Sequence, residues 1–184
     1  MRKIKELIWH CTATPEGRKV SVATIRKWHK SRGWSDIGYH KVIHLDGTAE
    51  DGRPITKVGA HVKGHNTGTI GYVYVGGTIK GGKPKDTRTV PQKATMARLT
   101  REAIEKYGVT KVSGHNEYAN KACPSFDVQT DPTIQDAIKG RGGHQAPQGS
   151  QPTTKISPPS TVPASNLWDK LQDLLKRWRT KMGK

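Results

Sequence analysis

The apolar residues of this chain are unevenly distributed, and that limits how much of it can fold around a core. From Gly140 to Ser165 the sequence reads GRGGHQAPQGSQPTTKISPPSTVPAS, with five of the eleven prolines and almost no large apolar side chain. Such a stretch cannot bury enough surface to offset the entropy of ordering it, which predicts an extended linker over 140–165. Only 32% of the 184 residues are apolar, so a core of ordinary density has to be gathered within residues 1–139. Beyond the linker, Leu167, Trp168, Leu171, Leu174, Leu175, Trp178 and Met182 recur at helical spacing, with Asn166 as N-cap and Lys and Arg on the opposite face. The expected organisation is a domain over 1–139, a linker over 140–165 and a cationic amphipathic helix over 166–184.

Within the first 139 residues, strand and helix patterns alternate. ELIWHCTA is a short apolar run, GYHKVIHLDGT alternates and ends in an Asp46-Gly47 turn, TIGYVYVGG is β-branched and aromatic, and VTKVSGH returns as a strand. Between them, SVATIRKWHKSRGW carries Val22, Ile25 and Trp28 at helical spacing behind Ser21, a good cap, and Gly33 stops it. VPQKATMARLTREAIEKYG starts with Pro91 as first helical residue, buries Met96, Leu99, Ala103, Ile104 and Tyr107, and closes at Gly108. No internal repeat is present. The expectation is an α/β domain with a single mixed central β-sheet flanked by helices.

The formal charge of +17 draws such a chain to polyanions: nucleic acid, anionic lipid, lipopolysaccharide or wall polymer. Charge alone favours nucleic acid, since no helix-turn-helix, zinc-finger or RNA-recognition signature is present. Residues 141–184 hold eight Lys and Arg against two Asp, so about a third of the charge lies in the tail. There Trp168, Lys176, Arg177, Trp178, Arg179 and Lys181 suit an interfacial helix contacting an anionic membrane or lipopolysaccharide. The alternative is a helix that docks on the domain or pairs with another copy; the chain is otherwise read as a monomer. The N-terminal apolar run is too short for a signal peptide and is interrupted by His10, and no run approaches the roughly 20 apolar residues of a membrane span. Synthesis in the cytoplasm is therefore expected, where two cysteines are free or metal-bound more often than paired.

Two histidines stand at the C-terminal ends of expected strands, His10 in LIWHCTAT and His115 in VSGHNEY, and strand ends on one edge of an α/β sheet converge on a cleft. Cys123 follows His115 by eight residues, far enough for the loop to fold back. Two imidazoles and a thiolate would leave one tetrahedral position open, as a catalytic zinc requires. Three other readings stand beside this one: Cys123 as core filler, a Cys11–Cys123 disulfide, and a cysteine nucleophile with Lys121 or a histidine as basic partner. Strand alternation turns Cys11 away from His10 and into the core.

HCTAT at His10, WHKSRGWSDIGYH at Trp28 to His40, DGT at Asp46, VGAH at Val58 to His61, IGYVYVGG at Ile70 to Gly77 and KACPSFD at Lys121 occur in the order of a known family. Across roughly residues 5–130 the chain resembles the zinc-dependent N-acetylmuramoyl-L-alanine amidases of the peptidoglycan-recognition type, phage endolysins among them. The resemblance implies Zn2+ held by His10, His115 and Cys123, with Tyr39 bordering the metal and Lys121 needed for hydrolysis. It implies hydrolysis of the amide joining N-acetylmuramic acid to L-alanine in peptidoglycan, bacterial lysis, and action in the periplasm after synthesis in the host cytoplasm. His61 has no ligand role in the pattern and is expected to line the substrate groove. His29, His40, His44, His65 and His144 are left as surface or packing residues. A phage relative also binds and inhibits RNA polymerase; the N-terminal arm here is shorter, and that role is not transferred.

Overall fold

The structure, a computed structural model, describes residues 2–140. Its centre is strand β1 (Glu6–Cys11), whose Leu7, Ile8 and Trp9 are fully buried. A strand apolar on both faces belongs in the middle of a covered sheet. It pairs in parallel with β5 (Thr69–Tyr74) on one side and β7 (Lys111–Gly114) on the other. Strand β3 (Lys41–Ile43) continues the parallel sheet beyond β5, and β4 (Ala49–Asp51) closes that edge antiparallel to β3. The hairpin between β3 and β4 turns at the expected Asp46-Gly47, where Gly47 has φ +85°, a value that side chains rarely adopt. The order is β4-β3-β5-β1-β7, the single mixed sheet the alternation implied. Strands β2 (Thr14–Pro15) and β6 (Gly77–Thr78) form a small separate ladder.

Helix α1 (Val22–Lys30) begins where Ser21 Oγ accepts the Thr24 N–H at 3.1 Å. Its Val22 and Ile25 pack with Val42, Val73 and Val75 on one face of the sheet. Helix α2 (Val90–Tyr107) covers the other face, and its first residue is Val90 rather than Pro91, because Thr89 caps it in a reciprocal capping box with Gln92. Met96, Leu99 and Ala103 are buried as the spacing implied, whereas Ile104 and Tyr107 sit at the margin, half-covered. Polar Gln92 and Thr100 are buried too: Gln92 Nε2 donates to the carbonyl of Val75 (2.9 Å) and to that of Ile43 (3.2 Å), which also accepts the Val75 N–H. Helix α3 (Pro132–Ile138) was not foreseen; Asp131 caps it, and Ile134 and Ala137 complete the α2 side of the core. Burying a side chain such as Leu99 or Ile134 stabilises by about 1.5–3 kcal/mol. Among the described residues no helix is long and apolar enough to cross a membrane. The linker and helix expected for 140–184 lie, apart from Gly140, outside the described residues, as do His144, Trp168, Lys176, Arg177, Trp178, Arg179 and Lys181.

The sheet has two environments. Leu7, Trp9 and Cys11 point into the core beneath α2 and α3, so the period-2 rule turns Ile8 and His10 toward the face that carries α1.

Candidate metal centre

His10 lies one step beyond the last β1–β7 pair, Trp9 with Gly114, and the next residue of β7's path is His115. Parallel pairing therefore sets the two histidines side by side on one face, with ring centroids 4.8 Å apart. A short 3₁₀ turn, His115–Glu117, then starts the loop that returns Cys123. Three hydrogen bonds hold that loop: Asn116 N–H to the Cys123 carbonyl, the Tyr74 hydroxyl to the Pro124 carbonyl and the Ser125 hydroxyl to the Gly77 carbonyl, each 2.7 Å. The Cys123–Pro124 peptide is cis. One donor atom each from His10, His115 and Cys123 lies within 4.8 Å of the others, and Cys123 Sγ is 3.8 Å from His10 Nδ1. A tetrahedral ion with Zn–S near 2.3 Å and Zn–N near 2.0 Å separates such atoms by roughly 3.5 Å, so this donor set fits a metal ion.

The electrostatics agree. Burial first, then the charges of His61, His115 and Lys121, hold the His10 pKa well below its ordinary value, so the ring is neutral, as a ligand must be. His115 is lowered by burial and Lys121 in the same way. The Cys11 and Cys123 thiols are neighbours that accept one negative charge but resist a second: Cys11 is drawn down to about 7 and Cys123 is pushed up. A cation beside Cys123 would reverse that order and place the charge on the Cys123 sulfur. Both thiols are free, and the Cys11 N–H points at Cys123 Sγ (3.3 Å), a contact that favours a thiolate there.

Tyr39 borders the triad, its ring 5.1 Å from that of His10, and burial followed by the charges of Cys123 and Cys11 raises its pKa. The phenol therefore keeps its proton at neutral pH. Lys121 is exposed and near enough for its charge to bear on both His10 and His115. His61 departs from expectation. It is buried rather than lining an open groove, because its ring lies behind His10 with Nδ1 3.2 Å from His10 Nε2 and Nε2 3.3 Å from Thr69 Oγ1. Both nitrogens are engaged, which leaves none for substrate, and burial lowers its pKa to about 3. His29 and His40 are packing histidines: Nδ1 of His29 accepts the Gly38 N–H (2.9 Å) and Nδ1 of His40 the Gly71 N–H (3.1 Å). His44 pairs with Glu50 on the surface hairpin, and His65 stacks near Tyr118.

Residues 1–126 match the family described as N-acetylmuramoyl-L-alanine amidase. The chain belongs to this family. It is 43% identical over 120 residues to the endolysin of Escherichia phage T7, covering 65% of this chain and 80% of that protein, and 42% identical over 120 residues, with the same coverage, to the endolysin of Enterobacteria phage K11. Among solved structures, the endolysin amidase LysCS from Clostridium intestinale superposes with a TM-score of 0.60 at 29% identity, covering 68% of this amidase-family chain and 78% of that one. The fold and the endolysin character of the chain rest on these relatives.

Proposed function

We propose that this chain is a phage endolysin that hydrolyses the amide between N-acetylmuramic acid and L-alanine in peptidoglycan, using a zinc ion held by His10, His115 and Cys123. The observation that carries the reading is the convergence of two neutral imidazoles and a thiol from β1, the end of β7 and the following loop, in a chain of the amidase family. Zinc bound there would supply Lewis acidity toward water and an amide carbonyl, both unreactive at neutral pH.

The chain's own groups account for the rest. Cys123 contributes a negative charge that tempers the metal, and the Cys11 N–H steadies its sulfur. The Tyr39 hydroxyl, which holds its proton, donates a hydrogen bond toward the reacting oxygens. The Lys121 ammonium offsets the negative charge that develops on the carbonyl oxygen as water adds. The proton that the attacking water gives up ends on the leaving amine of L-alanine as the C–N bond breaks, so Tyr39 and Lys121 finish the step protonated as they began it.

Purified peptidoglycan digested by the parent protein should release L-alanine amino groups and no new reducing ends. Cys123→Ser or a chelator should abolish that release. New reducing ends, or full activity of Cys123→Ser, would overturn the assignment. For the tail, the paired tryptophans and cationic residues at 166–184 support contact with anionic lipid or lipopolysaccharide during approach to the wall. The synthetic 166–184 segment should gain helical circular dichroism on anionic vesicles; no gain and no binding removes that role.

A further inference from the structure

His61 takes part in a chain of buried polar atoms whose direction can be worked out from one end. Thr69 Oγ1 lies 2.7 Å from the His65 carbonyl and 3.2 Å from that of Asn66. Carbonyl oxygens only accept, and a hydroxyl has one proton, so the threonine hydroxyl donates there and can only accept from its other neighbour. That neighbour is His61 Nε2, at 3.3 Å, which must therefore carry a proton. A neutral ring protonated at Nε2 has a bare Nδ1, and the His61 Nδ1 faces His10 Nε2 at 3.2 Å. His10 accordingly carries its proton on Nε2 and turns a lone pair outward from Nδ1, the atom 3.8 Å from Cys123 Sγ.

The fold keeps space for this chain. A Cβ on Gly71 would come within 2.4 Å of the His61 ring, and one on Gly59 within 2.6 Å of His61 and 2.8 Å of His40. Gly71 lies beside Ile8 on β5, two residues along from Thr69, so the strand that supplies the threonine also leaves room for the imidazole. The His61 backbone is pinned as well, since Asn66 Oδ1 accepts the N–H groups of His61 and Val62 at 2.8 and 2.9 Å. The two rings meet nearly edge to face, at 81°.

We propose that Thr69 and His61 form a buried relay that fixes the tautomer and orientation of His10, so that Nδ1 is presented as a metal-ligating lone pair before any ion arrives. His61 and Thr69 are positioning residues; neither touches substrate. The role in metal binding rests on the zinc reading above, while the tautomer does not depend on it. Such partners behind a metal ligand typically change metal affinity by about 10- to 100-fold.

The test has two arms on the full-length protein. In the first, long-range nitrogen–proton correlation spectra of 15N-histidine-labelled, chelator-treated protein at pH 7 report which nitrogen of His10 is protonated. Protonation at Nε2 is expected, with Thr69→Val giving a mixture of tautomers and Thr69→Ser restoring one. A parent protein whose His10 carries its proton on Nδ1 overturns the relay, whatever the metal does. In the second arm, zinc affinity is measured by competition with a chromophoric chelator. His61→Phe should weaken it about 10- to 100-fold, Thr69→Val by less, and His61→Asn, whose Oδ1 replaces the Nδ1 acceptor, should retain most of it. Equal affinity in the parent and His61→Phe removes the positioning role. Failure of the parent to bind zinc removes the metal reading while leaving the tautomer result to stand alone. Thermal melts of the zinc-free variants identify any that do not fold; for those, the Thr69→Val and Thr69→Ser spectra decide.

Discussion

Acidification should unfold this domain through two histidines that have no part in the chemistry. His29 and His40 each use Nδ1 to accept a backbone N–H, so protonating that nitrogen sets one N–H against another inside the protein. Burial, reinforced by nearby arginines, lowers both pKa values from 6.5 to about 4. A group depressed in the folded state contributes stability above its unfolded pKa and loses it as pH falls toward the folded one, so the window is pH 6.5 to about 4. Within that window the unfolded chain binds nearly one more proton per histidine, at about 1.4 kcal/mol per pH unit. From pH 7 to pH 5 this amounts to about 2 kcal/mol each. His29 borders a cavity of about 70 Å³ beside Trp28 and Arg32, so its share is halved for solvent, leaving a loss of about 3 kcal/mol for the pair. Asp86 does not confuse the result: its burial is outweighed by hydrogen bonds from Arg88, which hold it below the ordinary carboxylate range and outside the window. His10, His61 and His115 are depressed too and lose stability with the same sign, so urea unfolding in chelator at pH 7 and pH 5 reads the pair as the part of the midpoint shift that its variants remove, about 1–3 M with slopes of about 1–3 kcal/mol per molar. His29→Asn and His40→Asn keep the acceptor but cannot be protonated, so each should flatten the pH dependence. A midpoint unchanged between the two pH values, or a dependence equally steep in both variants, would refute the argument.

Three further outcomes are expected. Lys121→Met should lower turnover on the order of 100-fold while zinc content per protein stays the same, because it removes charge facing the oxyanion and no ligand. Arg88→Met should destabilise by about 3 kcal/mol in urea titrations, since it leaves Asp131 and Asp86 without the guanidinium that bonds both and strips the cation from the Phe126 ring 3.4 Å away. Gln92→Leu should cost about 1–3 kcal/mol by orphaning the carbonyl of Val75, read as a lower melting temperature with α2 still helical by circular dichroism.

Much of the architecture was legible because its signals are local. Ser21 caps α1, the Asp46-Gly47 turn closes the hairpin, and the apolar runs at Leu7 and Ile70 became the two central strands. Helix α3 escaped notice because seven residues with two buried side chains give no readable period. Gln92 was missed because a polar residue enters a core only when partners wait there, and its partners are strand carbonyls far away in sequence; Thr100 instead bonds the Met96 carbonyl one turn back in its own helix. The site divides the same way. His10 and His115 were visible as strand ends, and parallel register made them neighbours. Cys123 gained its meaning from the family pattern, since spacing alone also allowed a disulfide or a nucleophile. His61 carried no signal of its depth: what places it is a hydroxyl on β5 and the bare backbone of Gly71, both found only after the strands pair.

The family match ends at residue 126, yet the mechanical support of Cys123 does not. Phe126, three residues past the sulfur, is clasped by the Arg88 guanidinium, which is tethered in turn to Asp131, the residue that opens α3. A fragment cut at the family boundary would keep His10, His115 and Cys123, the three residues of the proposed metal site, and lose the strut that steadies one of them. Anyone grafting this catalytic unit onto another protein should therefore place the junction beyond Ile138, treating the last short helix as scaffolding for the sulfur rather than as spare chain.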